Sequence, residues 1–326
     1  YAAYNQFKWK LMKLIFTAGL RYDNVQENST SVIAPRFGLS YALTSLTKLN
    51  VAMGKYYQTP NYWMLLNPNN ARPLKHTYTN QMVFGIEHLF ADDIKGTVEV
   101  YEKYYYNKAV RLAETTPDPL DDRLGFTDTG SGRAKGIELF IQKKFARKWY
   151  GTFSYSHSIA EGVDMREGKG DYYPWDFDYV NTFTLVGGYK FKFRESKWYQ
   201  QFRETPVFPY ISWIPFMVSD QLELSFRYGY FGGRPYTPKK YDFHHRIWYV
   251  DQQDDLNTER YEYYSRLDIM ILRRFNFKKI NLTTFVDLQN VFDRDNQWER
   301  VNLEDGSSTM SLQYKQLPFV GIIIEF

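Results

Sequence analysis

Polar and apolar residues alternate along most of this chain. In "LIFTAGLRYD", Leu14, Phe16, Ala18, Leu20 and Tyr22 share one side, while Thr17, Gly19, Arg21 and Asp23 share the other. In "KGIELFIQKKF", Ile137, Leu139 and Ile141 oppose Glu138 and Gln142. In "TFTLVGGYKFKF", Phe183, Leu185, Tyr189, Phe191 and Phe193 oppose Thr182, Thr184, Lys190 and Lys192. In "INLTTFVDLQN", Ile280, Leu282, Val286 and Leu288 oppose Asn281, Thr283, Asp287 and Gln289. A period of two marks a strand with unlike faces. It predicts about thirteen strands, near 1–8, 13–24, 33–44, 47–58, 77–90, 94–106, 133–145, 148–159, 178–193, 220–233, 261–275, 279–292 and 310–326. Most exceed the ~5–6 residues of a typical globular strand and reach the ~9–11 that a tilted strand needs to cross a bilayer. No comparable stretch holds a period of 3.6.

The connections alternate in length. Tight turns fall at "TSLT" (44–47), "ADDI" (91–94), "FARK" (145–148) and "FNFKK" (275–279), and long polar loops at 59–76, 107–132, 160–177, 234–260 and 293–309. Short turns on one rim and long loops on the other are the pattern of a transmembrane β-barrel. The predicted fold is therefore an all-β, antiparallel transmembrane barrel, with no domain boundary within residues 1–326. Counting back from Phe326 on the short-turn rim, residue 1 lies on the long-loop rim. Bacterial single-chain barrels have an even strand number with both termini on the periplasmic side. The expectation is that an odd number of strands lies upstream, and that this chain is the C-terminal portion of a 22-stranded plugged barrel.

Composition sharpens this picture. The chain of 326 residues holds 29 Tyr, 25 Phe and 8 Trp, yet only 44% of it is hydrophobic and the mean hydropathy is −0.54. That is too polar for a helical membrane protein, and no run reaches the ~18 apolar residues of a spanning helix. Many aromatics at low hydropathy suit strands apolar on one face, with Tyr and Trp marking an interface. The net charge of +4 does not call for a nucleic-acid or acidic-lipid partner, and the absence of cysteine excludes disulfides and thiol chemistry.

Several pieces then resemble, in order and over almost the whole chain, the barrel of TonB-dependent outer-membrane receptors. They are "LIFTAGLRYDNV", "APRFGLSYALTSLTKLNVAMGKYYQTP", "YTNQMVFGIEHLF", "AKGIELFIQKKF", "YGTFSYSHS", "GGRPYTP", "YSRLDIMILRRF" and "LTTFVDLQNVFDR". The resemblance implies energised nutrient uptake across the Gram-negative outer membrane, an N-terminal plug, a TonB-contacting box and about nine strands before residue 1. It implies outer-membrane lipids, the barrel assembly machinery and TonB as partners. A surface lipoprotein or another outer-membrane subunit, in an assembly or export complex without uptake, is the alternative, and a passive porin is a third reading.

Candidate functional residues follow from position. The chain ends in "LPFVGIIIEF", and Gly321, Ile324 and Phe326 fit an outer-membrane assembly signal of the form polar-x-Gly-x-x-apolar-x-aromatic, from which Phe319 departs. The bland alternative is an ordinary lipid-facing strand. Arg21, Arg36, Glu99, Glu138, Arg266 and Asp268 lie on the polar face as candidate lumen or plug contacts, against a reading as solvated wall charge. Tyr57, Tyr62, Trp63, Trp248 and Tyr249 lie on or beside external loops, where they suit ligand or partner capture and an outer aromatic girdle equally. His244, His245, Asp251, Asp254 and Asp255 share one loop without metal-binding spacing, so no metal or cofactor is expected. No catalytic signature is present and an enzyme is not expected. Residues 194–219 form the one long connection on the short-turn rim. Trp198 and Trp213 suit them to packing at the membrane interface or to docking a partner.

Overall fold

Alternation of this kind leaves each strand one apolar and one polar side, and antiparallel pairing in chain order aligns those sides across a sheet. The computed structural model shows that arrangement. It describes all residues except 27–29, 71, 112–124, 165–169, 213, 215–217, 251–255 and 278. Thirteen long strands form one antiparallel sheet in sequence order. They are β1 (Ala2–Leu11), β2 (Leu14–Val25), β3 (Thr30–Ala42), β4 (Thr47–Gln58), β5 (Thr77–Ala91), β6 (Ile94–Arg111) and β7 (Phe126–Ala146). They continue as β8 (Trp149–Asp164), β9 (Asn181–Phe191), β10 (Gln221–Phe231), β11 (Tyr264–Asn276), β12 (Asn281–Gln289) and β13 (Leu317–Glu325).

The register keeps one face apolar from strand to strand. Phe37 lies opposite Met53, Phe84 opposite Val100, Val100 opposite Ile137, Phe226 opposite Ile269 and Val286 opposite Val320. Much of this face lies open: Met53 is 46% exposed, Ile322 70% and Val320 78%. A soluble monomer rarely exposes so wide an apolar band. Hydrocarbon covers it at no cost, and the backbone of each paired strand is satisfied within the sheet.

The short rim is tight. Met12 and Arg147 turn the chain in left-handed conformations, with φ of 51° and 62°. The Thr44 Oγ1 accepts the amides of Leu46 (3.1 Å) and Thr47 (2.9 Å), which closes the 43–46 turn. The exception is the β9–β10 connection. There a 3₁₀ turn at Phe193–Glu195 leads into α2 (Lys197–Arg203) and α3 (Phe208–Ile211), which follow a short external helix α1 (Tyr62–Leu65) in chain order. Tyr199 and Phe208 are buried with Phe275 of β11 and packed by Leu282 of β12. Phe275 and Leu282 are direct cross-strand partners on the apolar face. The helical insert therefore lies against the outside of the wall. Arg273, on the same face, gives its guanidinium to the insert's carbonyls at Ile214 (2.6 Å) and Ser212.

Four strand boundaries differ from the alternation pattern by five residues or more: β6 runs to Arg111 rather than 106 and β8 to Asp164 rather than 159, both into stretches expected as loop, and two strands start elsewhere. β7 begins at Phe126 rather than 133, inside a Gly-rich stretch that reads as loop. The indole of Trp175 lies over Gly132 and Gly162, which keeps those glycine positions in paired strand. The last wall strand begins at Leu317 rather than 310. Its neighbour β12 ends at Gln289, so Ser308–Leu312 pairs instead with Gln297–Asn302 in a separate hairpin.

Candidate ligand vestibule and lumen wall

On the long-loop rim the connections are knitted together. Arg260 pairs with the buried Asp178 at 2.6 Å, and Asp178 also accepts the amide of Ala160 at 2.8 Å. Asn257 donates to Asp176 and to the Pro174 carbonyl, both at 2.8 Å. Two hairpins dock: the Tyr241 hydroxyl donates to the Glu304 carbonyl, and the Trp248 indole donates to the Leu303 carbonyl at 2.8 Å. Burial and a bond to Glu259 push the Tyr236 phenol upward, so it remains a donor at physiological pH.

Within this canopy a cavity of about 220 Å³ opens beside the ends of β10 and β11. Phe231 packs at a tilt between Tyr179 (5.8 Å) and Tyr264 (5.5 Å). Arg234 lies over the rings of Tyr261 (5.2 Å) and Trp298 (5.6 Å), and donates to the Trp298 carbonyl at 2.6 Å. "GGRPYTP" explains that placement. A Cβ at Gly232 or Gly233 would stand 2.0 Å from the Tyr179 carbonyl oxygen or 1.9 Å from that of Tyr261. Only glycine lets the chain pass that closely and set Arg234 between two rings. Glu262 also lines the cavity, so aromatic walls with one guanidinium and one carboxylate suit a ligand carrying planar groups and polar groups of both kinds.

Below the vestibule the polar face continues as a charged wall. Arg21 pairs with Asp23 at 2.7 Å. Arg266 pairs with Asp268 and with Gln289, while Asp268 accepts the amide of Asn290 at 2.9 Å, so these three brace the ends of β11 and β12. Arg36 lies over the Tyr56 ring at 4.6 Å. Glu99 and Glu138 are direct cross-strand partners on β6 and β7. Arg36, Glu99 and Glu138 make no ion pair among the described residues, which leaves their charges available to a group in the lumen.

The aromatic loop candidates separate. Tyr57 packs on His76 (6.4 Å) and Tyr78 (5.6 Å), and Tyr78 stacks on Tyr106 (4.8 Å). This row sits on the apolar face at the outer rim, where aromatic rings belong at a membrane interface. Tyr62 is 60% exposed, and Trp63 packs edge-on against Phe126 at 5.2 Å. Trp248 is occupied in hairpin docking, with Tyr249 half exposed beside it. His245 bonds Asp242 at 2.6 Å. Asp251, Asp254 and Asp255 of that loop and Trp213 lie outside the described residues. The vestibule residues Arg234, Tyr261 and Trp298 were not singled out from sequence, because they come from opposite ends of the β10–β11 connection and from the separate β12–β13 connection. The available signals were "GGRPYTP" and the "YEYY" run at 261–264.

The C-terminal strand gives Gly321 a local reason. The Phe285 ring lies across it, and a Cβ there would meet Phe285 Cε1 at 2.2 Å. Ile324 is half exposed on the apolar face, and Phe326 is fully exposed at the short rim.

Fold and wall geometry thus define an outer-membrane type of β-barrel. Residues 1–291 match the family model for the β-barrel of TonB-dependent receptor-like proteins. The chain belongs to that family, whose members are outer-membrane transport receptors of Gram-negative bacteria. A search of curated proteins returns no match. Among solved structures, the chain is similar to the ferripyoverdine receptor of Pseudomonas aeruginosa, at a TM-score of 0.64 and 17% identity over 99% of this chain and 38% of that one. The outer-membrane transporter YddB of Escherichia coli gives 0.67 and 12%, over 98% and 44%. BauA, the ferric preacinetobactin receptor of Acinetobacter baumannii, gives 0.63 and 13%, over 98% and 42%. The chain spans roughly two-fifths of the length of the solved structures it matches.

Proposed function

We propose that this chain is the C-terminal part of the barrel of a TonB-dependent importer, with a plug and earlier strands supplied upstream. Ligand is captured in the vestibule of Tyr179, Phe231, Tyr261, Tyr264, Trp298 and Arg234. It passes a plug that rests against Arg36, Glu99 and Glu138, and TonB delivers the energy that moves the plug. No covalent chemistry takes part. The observation that carries this reading is the position of the vestibule: aromatic, with Arg234 and Glu262 in its lining, held by docked loops, above a charged polar face on a barrel wall of this family. Two structural neighbours bind ferric chelates, which makes a ferric siderophore the first ligand class to test.

The test is uptake of radiolabelled ferric chelates by cells carrying the full-length protein, with and without a working tonB gene. Import predicts TonB-dependent accumulation that Arg234→Ala together with Trp298→Ala lowers at least about tenfold, in line with the loss of one aromatic and one cationic contact. Uptake of every tested ligand that is indifferent to TonB would refute it, leaving a passive pore or a scaffold in an outer-membrane assembly.

A further inference from the structure

The helical insert between β9 and β10 leaves the sheet toward its apolar face. Tyr199 and Phe208 are buried there against Phe275. Arg273 stands two residues further up β11 on that face, and it donates to the Ile214 carbonyl at 2.6 Å and to the Ser212 carbonyl. A cation on a lipid-facing wall is costly unless its donors are satisfied. The insert therefore cannot leave the wall without baring Arg273 to hydrocarbon. Ile271 and Ile269 carry the same face on toward the membrane centre, so the insert borders the lipid-facing surface directly.

At about 100° per residue, α2 divides into three sides. Tyr199 and Arg203, four residues apart, turn to the wall: Tyr199 is buried and Arg203 pairs with Asp220. Lys197, Gln200, Gln201 and Glu204 recur at spacings of three and four, and all are exposed. Trp198 and Phe202 make the third side, next to the wall side, and Trp198 is half exposed. Beyond α2, Phe208 turns inward while Val207, Tyr210 and Ile214 recur at the same spacings and lie open. An apolar flank beside a lipid-facing wall, with the polar flank turned away from it, is the arrangement of an interfacial segment. Trp and Tyr rings belong at headgroup level.

We propose that the insert is an interfacial anchor lying in the periplasmic leaflet of the outer membrane. Trp198, Val207, Tyr210 and Ile214 enter the boundary between headgroups and acyl chains, and the Lys197–Glu204 side faces water. The occupant of this surface is the bilayer itself. Headgroup charge is not selected, because the polar side of α2 carries one Lys and one Glu. The anchor rests on the outer-membrane reading of the barrel and is independent of the imported ligand.

The test places single spin-labelled cysteines in the full-length protein, on a background free of other cysteines, in vesicles of dioleoyl phosphatidylcholine. Collisions with oxygen, which enters hydrocarbon, are compared with collisions with a polar nickel chelate, which stays in water. Labels at Trp198→Cys, Val207→Cys and Tyr210→Cys should give oxygen-to-nickel ratios at least about threefold above Gln201→Cys and Glu204→Cys, as for an apolar side about 5–10 Å into the boundary. Val320→Cys on the open wall is the hydrocarbon reference. If it reports lipid while the three insert labels match Gln201→Cys, the insert stands in water and this inference alone is overturned. Insert labels that meet neither reagent are covered by a partner protein or a second copy, which overturns it as well. If Val320→Cys also reports water, the barrel reading fails and takes the anchor with it. Should Trp198→Cys fail to fold, Tyr210→Cys carries the same reading from a position 76% exposed.

Discussion

Asp220 offers a direct test of what holds the helical insert to the wall. Its carboxylate is completely buried and accepts two bonds, from Arg203 Nη1 at 2.5 Å and from the Asn276 amide at 2.6 Å. Arg203 also donates to the Asn276 carbonyl at 2.9 Å, so one carboxylate joins α2 to the end of β11. Asp220→Ala removes a charged partner from both donors. Breaking a buried pair costs roughly 3–5 kcal/mol. The Arg203 side chain is 26% exposed, so water recovers part of its loss and the lower end applies, about 3 kcal/mol. At about 1.4 kcal/mol per tenfold, the insert should open on the order of 150 times more often. The assay is hydrogen exchange on amides of residues 197–212 against those of β11 and β12. Exchange in the insert should rise by about two orders of magnitude while the wall amides hold, since local opening need not involve the sheet. Asp220→Asn keeps one acceptor and should fall between the two. If exchange in the insert changes less than about threefold, the carboxylate is not the tie, and the aromatic packing of Tyr199, Phe208 and Phe275 holds the insert alone.

Three further outcomes follow from other contacts. Burial holds the His76 imidazole below its ordinary value, against a smaller opposing pull from Asp23. The unfolded loop then binds more protons than the folded one in the window just below pH 6.5, so stability falls as pH drops through it, and the protection factors of amides across 72–78, taken relative to their intrinsic exchange at each pH, should fall at pH 5.5 relative to 7.5 and lose that dependence in His76→Gln. Gly321→Val should lower the yield of folded protein in outer membranes because its Cβ meets the Phe285 ring, and Phe285→Ala added to it should restore yield if packing is the cause. No restoration would assign Gly321 to recognition by the assembly machinery instead. Phe326→Ala should slow membrane assembly without changing the melting temperature of the folded barrel, as read by heat-modified mobility on gels.

Strand number and order were legible from sequence because each wall position meets only two environments, lipid or water, and a period of two records both. The exceptions are physical. Glycines at 130, 132 and 136 carry no hydropathy signal, so the early start of β7 depends on Trp175 in the next loop, which alternation does not reach. Arg273 breaks the apolar face and reads as an error until the insert's carbonyls are seen against it. Arg21, Arg266 and Asp268 lie on the polar face that alternation gives them, but sequence does not show that they pair with their own neighbours. The vestibule was least legible, since Arg234 and Tyr261 come from the two ends of one long connection and Trp298 from another, and they carry no shared pattern.

The rings laid over wall glycines have a consequence for how the sheet finds its alignment. Tyr101 faces Gly136, Tyr150 faces Gly188, Phe226 faces Gly187 and Phe285 faces Gly321, each as direct cross-strand partners. A slip of two residues preserves alternation and would pass unnoticed by hydropathy. It would bring Phe226 against Leu185 or Tyr189, and Phe285 against Phe319 or Ile323, where no bare backbone receives the ring. These pairs act as keys cut along the wall. They allow a chain whose pattern repeats every second residue to recognise the one offset at which every tooth drops into its notch.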